Sequence, residues 1–335
     1  GGVIVAGRRR KKSGGRSYAW RYRGRIVACV FVEVIIICAL VIMIGWNKGV
    51  KEWFEQFEQP VLKEVDISGI NSPNAILMQA RGGKILGEIN GEAQIYPASM
   101  TKIMTVILGI ENFDDLDEKI TLTDEMFTGL YEQDATQAGF QPGEEVRVID
   151  LLYGAMLPSG AECCIALADT ISGSEADFAE LMNKKARKLG MENTHFCDST
   201  GLHNPDHYST VKDIAVLMKY CIKNDTFREI IETARHSTGV TNIHPDGITY
   251  YSTMFKNLSA PTVTGGKILG GKTGYTSEAG HCLVSFAEIE GREYIFVSAG
   301  ASGADGNTIP HIQDAVTIYN RVGAAIEAKM NNENE

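Results

Sequence analysis

The chain has 335 residues, 44% of them hydrophobic and 22% charged, a balance that suits a globular protein and excludes a disordered or collagen-like chain. Its formal net charge is −10, but residues 1–25 carry nine Lys and Arg and no acid, which leaves −19 on the remainder. A basic tail on an acidic body fits either a nucleic acid or a membrane surface as partner, and the residues that follow it decide between the two.

Residues 26–46 read IVACVFVEVIIICALVIMIGW, 21 residues with Glu33 as the single charge. At the helical rise per residue that run spans about 31 Å, the thickness of a bilayer core. The basic block before it then lies in the cytoplasm and the body of the chain outside, anchored in the cell membrane by a single pass. A membrane is therefore the expected partner of the tail, and a nucleic acid is not. The alternative is a cleaved signal peptide. Such a segment has an apolar region of about 7–15 residues and a small-x-small cleavage site; this run is longer, and Gly45-Trp46-Asn47-Lys48 is a poor site.

Residues 47–69 read as a juxtamembrane linker. Within it Val50, Trp53, Phe54 and Phe57 fall at i, i+3, i+4 and i+7 among Lys51, Glu52, Glu55 and Glu58, which predicts a short amphipathic helix ending before Pro60. Residues 70–329 read as one domain and 330–335 as a polar tail. Ala75–Gln79 and Lys84–Ile89 flank Arg81-Gly82-Gly83 and predict a β-hairpin. A helix is expected over Ser99–Glu111, then an acidic, turn-rich stretch punctuated by Gly139 and Pro142-Gly143. Helices follow at 150–157, 160–172 and 175–189, and another begins at Thr210, where Thr210-Val-Lys-Asp213 resembles a capping box. Strands return at Gly270–Tyr275, His281–Ile289 and Glu293–Ala299, and a last helix covers 310–329. Strands at both ends with helices between them predict an α+β domain, with one antiparallel sheet assembled from both termini and flanked by helices.

Of seven cysteines, Cys29 and Cys38 fall in the apolar span and Cys163, Cys164, Cys197, Cys221 and Cys282 in the body. An odd count, an adjacent pair and no C-x-x-C make neither a disulfide framework nor a zinc pattern. They are expected to be small buried hydrophobes. No cofactor is implied. His203 and His207 are spaced i, i+4, but Pro205 between them argues against a helical metal pair.

Three short segments carry chemistry. In Tyr96-Pro97-Ala98-Ser99-Met100-Thr101-Lys102, Pro97 favours a helix start, and the apolar run after it predicts burial. Ser99 and Lys102 at i and i+3 share one face, so hydroxyl and amine can meet. An electropositive helix start and burial both disfavour an ammonium, which makes Lys102 a base for Ser99. A serine N-cap followed by a chance lysine is the plainer alternative. Ser159, in Leu157-Pro158-Ser159-Gly160-Ala161-Glu162, sits at a loop-to-helix junction and alone reads as a routine cap. In Gly270-Gly271-Lys272-Thr273-Gly274-Tyr275, a Lys-Thr-Gly begins a strand among glycines that admit close backbone approach, and Lys272 and Thr273 can bind a carboxylate. The alternative there is a hairpin turn with a surface lysine.

In this order the three segments resemble the serine penicillin-binding proteins and β-lactamases, whose signature is S-x-x-K, a serine element and K-T-G. The likeness is greatest to the low-molecular-mass D-alanyl-D-alanine carboxypeptidases of peptidase family S11. It rests on Pro97-Ala-Ser-Met-Thr-Lys102, Asp150-Leu-Leu-Tyr-Gly-Ala-Met-Leu-Pro-Ser159-Gly, Thr200-Gly-Leu-His203, His207-Tyr-Ser-Thr210 and Lys272-Thr-Gly-Tyr-Thr-Ser-Glu-Ala-Gly280, and covers about residues 70–325. The resemblance implies a β-lactamase/transpeptidase-like fold and an acyl-enzyme mechanism on peptidoglycan stem peptides ending in D-Ala-D-Ala, with β-lactam antibiotics as trapping mimics. Ser99 is then the nucleophile, Lys102 its base and Ser159 a proton relay. Lys272, Thr273, Gly274 and Tyr275 bind substrate, with the backbone N–H groups of Ser99 and Tyr275 as oxyanion hole. The family often carries a C-terminal β-domain and an amphipathic tail anchor; neither is expected here, and the N-terminal span is expected to replace that anchor.

One departure stands out. The third residue of the second segment is usually Asn in this family and is Ala161 here. Losing such an amide contact costs on the order of 1–3 kcal/mol. Glu162 follows directly, but one helical step turns it about 100° away, so either it or a water is left to substitute. A class A β-lactamase would need a further glutamate base, and no Glu-Pro-x-x-Asn-like element lies between residues 165 and 270. A catalytically silent wall-binding protein is the remaining alternative.

Overall fold

The computed structural model describes residues 62–303 and 309–333, together with Val34. The expected span at 26–46 and the amphipathic stretch at 50–58 otherwise lie outside the described residues. Among the described residues no helix is long and apolar enough to cross a membrane.

The chain opens with strands β1 (Asn74–Gln79) and β2 (Ile85–Ile89), then a 3₁₀ turn over Ala98–Thr101 that runs into α1 (Lys102–Asn112). A small pair, β3 (Lys119–Thr121) and β4 (Glu145–Arg147), precedes α2 (Val148–Met156), α3 (Ala161–Ser172), α4 (Glu175–Leu189), α5 (Val211–Cys221) and α6 (Asp225–Glu232). A second small pair, β5 (Arg235–Ser237) and β6 (Thr249–Tyr251), leads through α7 (Thr253–Asn257) to β7 (Thr262–Val263), β8 (Gly266–Thr276), β9 (Gly280–Ile289), β10 (Arg292–Ala301) and α8 (Pro310–Glu333).

The main sheet runs β2-β1-β10-β9-β8-β7, with every neighbour antiparallel. The first hairpin thus joins the C-terminal meander, as strand-like segments at both ends of the domain lead one to expect. Period-two alternation sorts the side chains into two cores. Ile76, Met78, Cys282, Val284, Phe286, Ile295 and Val297 face the helical core of α1–α6. Ala75, Leu77, Leu283, Ala287, Tyr294 and Phe296 face α8 and its Ile318, Tyr319 and Val322. Because both faces are covered, the central strands read as nearly continuous apolar runs rather than alternating ones.

Residues 62–69, expected in the linker, belong to the domain. Leu62, Val65 and Ile67 are buried in the α8-side core, and the Val65 N–H donates to the Leu86 carbonyl. That apolar spacing carries a strap across the sheet. The small pairs β3–β4 and β5–β6 and helix α6 have no counterpart among the elements expected from sequence. Three-residue strands are too short to show a period, and α6 is two turns long. At Thr210 the side chain accepts from Asp213 N, as a cap should. Asp213 does not return the bond but accepts from Asn193 N and Thr194 Oγ1, tying α5 to the preceding loop.

Helix α1 positions the site. Ile103, Met104, Val106 and Ile107 are wholly buried, and α2, α3, α5 and α6 surround it. A helix apolar on all sides is held by packing rather than propensity, so its first turn cannot move independently of the core. Ile107→Ala should therefore cost about 2–5 kcal/mol, read as a lowered urea midpoint with an unchanged slope.

Candidate active site

Ser99 lies in the 3₁₀ turn and Lys102 is the first residue of α1. The turn opens on Ala98 with a left-handed φ of +47°, a strained conformation for a residue with a Cβ. Two glycines hold that turn from opposite sides. Gly201 has φ +79°, and a Cβ there would stand 1.9 Å from the Ala98 carbonyl oxygen. A Cβ on Gly274 would stand 2.9 Å from Ser99 N and 3.1 Å from Ala98 Cβ. The loop at 198–202 and strand β8 thus press bare backbone against the residue that presents Ser99.

The i, i+3 geometry holds: Lys102 Nζ lies 3.0 Å from Ser99 Oγ. Its other partner is the Thr200 carbonyl oxygen, at 2.6 Å. The lysine is 3% exposed. Burial pushes its pKa below the ordinary lysine range, against the opposing pull of Cys164, Asp198 and Glu162.

Ser159 sits between α2 and α3 with a left-handed φ of +73°. The neighbouring backbone fixes that strain: Gly160 N donates to Gly154 O, and Ala161 N to Thr136 O. Its hydroxyl meets Lys272 Nζ at 3.0 Å. Lys272 projects from β8, is fully buried and also reaches the Thr273 carbonyl at 2.9 Å. Burial, and then the charge of Lys102, drive its pKa well below the lysine range. Thr273 Oγ1 lies 2.7 Å from Thr253 Oγ1 on α7. Tyr275 is 62% exposed, its ring set against His281.

Ser99, Ser159, Thr273, Gly274 and Tyr275 open together on one cleft of about 870 Å³, with Thr136, His203 and Thr253 around them. The two lysines lie beneath its floor. All seven residues singled out from the sequence therefore gather at one place, and Gly274 stands where any side chain would force β8 away from Ser99.

Ala161 begins α3 and is buried. Glu162 does not substitute for an amide there. Its Oε1 accepts from Ala138 N at 2.6 Å and Gly139 N at 2.9 Å, so it pins the loop that forms one wall of the cleft. The second acceptor on Lys102 is instead the Thr200 main chain, to which nothing in the sequence points beyond the Thr200-Gly-Leu-His203 likeness. Of the two histidines in that region, His203 lies 3.9 Å from Glu278, while His207 is buried against Asp198 and Thr101. No cluster of His, Cys, Asp and Glu among the described residues could hold a metal. Cys163, Cys164, Cys221 and Cys282 are free and buried, and Cys197 is half-buried. Burial holds the Cys164 thiol up at about 12, so it stays protonated beside the lysines.

Gly274→Ala should slow the reaction of the Ser99 hydroxyl with an electrophilic serine probe by about 100-fold, since a displacement of about 1 Å at a reacting centre has that effect. A stopped-flow measurement with a fluorescent probe of that kind reads this, with circular dichroism to show that the variant is folded.

A family model for D-alanyl-D-alanine carboxypeptidases matches residues 61–303. The chain is 36% identical over 231 residues to the D-alanyl-D-alanine carboxypeptidase DacF of Bacillus subtilis, covering 68% of this chain and 57% of that protein. It is 33% identical over 262 residues to DacC of Escherichia coli, covering 71% and 58%. The chain thus spans under three-fifths of the length of these curated relatives. Its fold is similar to the crystal structure of the Streptomyces K15 DD-transpeptidase, with a TM-score of 0.68 and 29% identity, covering 78% of this chain and 100% of that one. With the serine–lysine pair, the second serine and the Lys-Thr-Gly strand converging on one cleft, the chain belongs to the D-alanyl-D-alanine carboxypeptidase family, peptidase S11.

Proposed function

We propose that this protein removes the terminal D-alanine from peptidoglycan stem peptides ending in D-Ala-D-Ala, through an acyl-enzyme on Ser99. The observation that carries the proposal is a buried amine, Lys102 Nζ, 3.0 Å from the Ser99 hydroxyl in surroundings that favour its uncharged form.

Lys102 as a free amine accepts the hydroxyl proton while Ser99 Oγ attacks the carbonyl between the two D-alanines. The Ser99 and Tyr275 N–H groups take the developing oxyanion, which in sites of this kind is often the largest single contribution. Ser159, bonded to Lys272, passes a proton to the departing D-alanine amine and takes in its place the proton that Lys102 accepted from Ser99, so that Lys102 is again a free amine. Thr273 receives the terminal carboxylate, supported by Thr253 Oγ1 behind it. Water, activated by the same lysine, then cleaves the ester and restores Ser99. No step asks for a metal. Penicillins present a strained amide in the same orientation and acylate Ser99 without rapid release.

The missing amide at position 161 fits this scheme because the Thr200 carbonyl already fixes Lys102 at 2.6 Å. We further propose that residues 26–46 are a retained single-pass span, which sets the catalytic domain outside the cell membrane where its substrate lies. Extraction of the protein from membranes by alkaline carbonate would contradict that placement.

The full chain in detergent should release D-alanine from diacetyl-L-Lys-D-Ala-D-Ala, and Ser99→Ala should abolish both release and penicillin labelling. Labelling without release would restrict the proposal to acylation; neither, from folded protein, would overturn it. The lowered pKa of Lys102 fixes the pH dependence. The base works where it is unprotonated, so acylation should persist below the ordinary lysine value of 10.5 and fall as pH drops through the depressed pKa.

A further inference from the structure

The loop at 198–201 has an organisation that the acyl-enzyme scheme does not use. Asp198 Oδ1 accepts three bonds, from Thr200 N at 2.8 Å, Thr200 Oγ1 at 2.7 Å and Gly201 N at 2.7 Å. These turn the Thr200 carbonyl back onto Lys102 Nζ. The other oxygen, Oδ2, lies 3.2 Å from His207 Nδ1. His207 is buried, and its Nε2 lies 2.8 Å from Thr101 Oγ1, the side chain just before Lys102 in the nucleophile turn. The carboxylate therefore touches the site by two routes: through the main chain to the acceptor on Lys102, and through the imidazole to the turn beside it.

We propose that Asp198, with His207 as its second arm, is a positioning residue that sets both the orientation and the charge preference of the Lys102 amine. The inference rests on the reading of Lys102 as the base for Ser99. Three donors on one oxygen over-determine the loop, so the Thr200 carbonyl cannot turn away when Lys102 loses or gains a proton. Gly201 completes the arrangement, because its bare backbone lets the loop lie against the Ala98 carbonyl.

The titratable groups around the amine are few enough to make the effect readable. Asp198 faces Lys102 from the loop, Glu162 and the two buried thiols of Cys163 and Cys164 face it from α3, and Lys272 faces it from β8; the thiols stay protonated and carry no charge. Burial alone would raise the Asp198 carboxyl. The contact with His207 and the bonds from Thr200 and Gly201 overcome it and hold the group down at about 2. Asp198 is thus a fixed negative charge at every pH where Lys102 changes state. It favours the ammonium, which keeps the amine basic enough to take a proton despite its burial.

The test is the acylation rate constant of the full chain in detergent with a fluorescent penicillin, measured across pH for the wild type, Asp198→Ala and Asp198→Asn. The alanine variant should acylate about 100-fold more slowly, as expected for a misplaced catalytic group, with the preceding non-covalent penicillin affinity within about threefold. The asparagine variant keeps an oxygen for the loop donors and should recover most of that loss. Its acidic limb should move to lower pH, because the charge that favoured the ammonium is gone. A purely structural role would lower rates without moving the limb. A folded alanine variant with wild-type acylation, or an asparagine variant whose limb coincides with the wild type, would overturn the proposal. If the alanine variant does not fold, the limb of the asparagine variant decides. A wild type that takes no label at all would sink the acyl-enzyme reading and this one with it.

Discussion

Two primary amines removed from water beside two hydroxyls are the constraint around which the rest is arranged. An isolated buried ammonium is costly, and a lysine in such a place responds by lowering its pKa rather than by carrying a bare charge. Lys102 and Lys272 are both buried, and burial disfavours charge on each. Each is therefore given polar partners at close range: Ser99 Oγ and the Thr200 carbonyl for one, Ser159 Oγ and the Thr273 carbonyl for the other. The result is a poised network in which proton movement between amine and hydroxyl requires little rearrangement.

The fold supplies that network from three independent pieces. Helix α1, buried on all sides from Lys102 to Gly109, anchors the Ser99 turn in the helical core. The α2–α3 junction holds Ser159 in a left-handed backbone, a strain that the loop at 136–140 and its anchor on Glu162 maintain. Strand β8, paired along its length with β9 and with β7 only at Gly266 and Lys267, brings Lys272, Thr273 and the side-chain-free Gly274 against the turn. A cleft made where a sheet edge meets a helical layer can be opened to a peptide chain without disturbing either core, since the sheet has its own support from α8 on the far face.

Much of this is legible in the sequence because its physical signals are strong. Long apolar runs mark the three C-terminal strands, and the spacing of Ser99 and Lys102 places hydroxyl and amine on one face. Local pattern fails where structure is set by distant partners. The start expected for the helix at Ser99 is a separate 3₁₀ turn over Ala98–Thr101, against which Gly201 and Gly274 of β8 lie closely. The strap at 62–69 reads as linker until the sheet surface that buries Leu62, Val65 and Ile67 is in view. Glu162, the neighbour of Ala161, offers a carboxylate near the place of the family's amide, and its bonds show that it holds a loop instead. Main-chain groups such as the Thr200 carbonyl carry no residue signature at all, and Asp198 and His207 acquire meaning only through the bonds they make across the chain.

The central claim is that Lys102 rests as an uncharged amine beside Ser99, and a direct reading of its titration tests this best. The full chain, labelled with ¹³C at the lysine Cε and assigned with Lys102→Arg, would be followed by NMR across pH in detergent micelles. The account expects the Lys102 resonance to titrate below the ordinary lysine value of 10.5, apart from the surface lysines. Titration at or above that value would mean that the amine is an ammonium at working pH, and that it cannot be the base for Ser99.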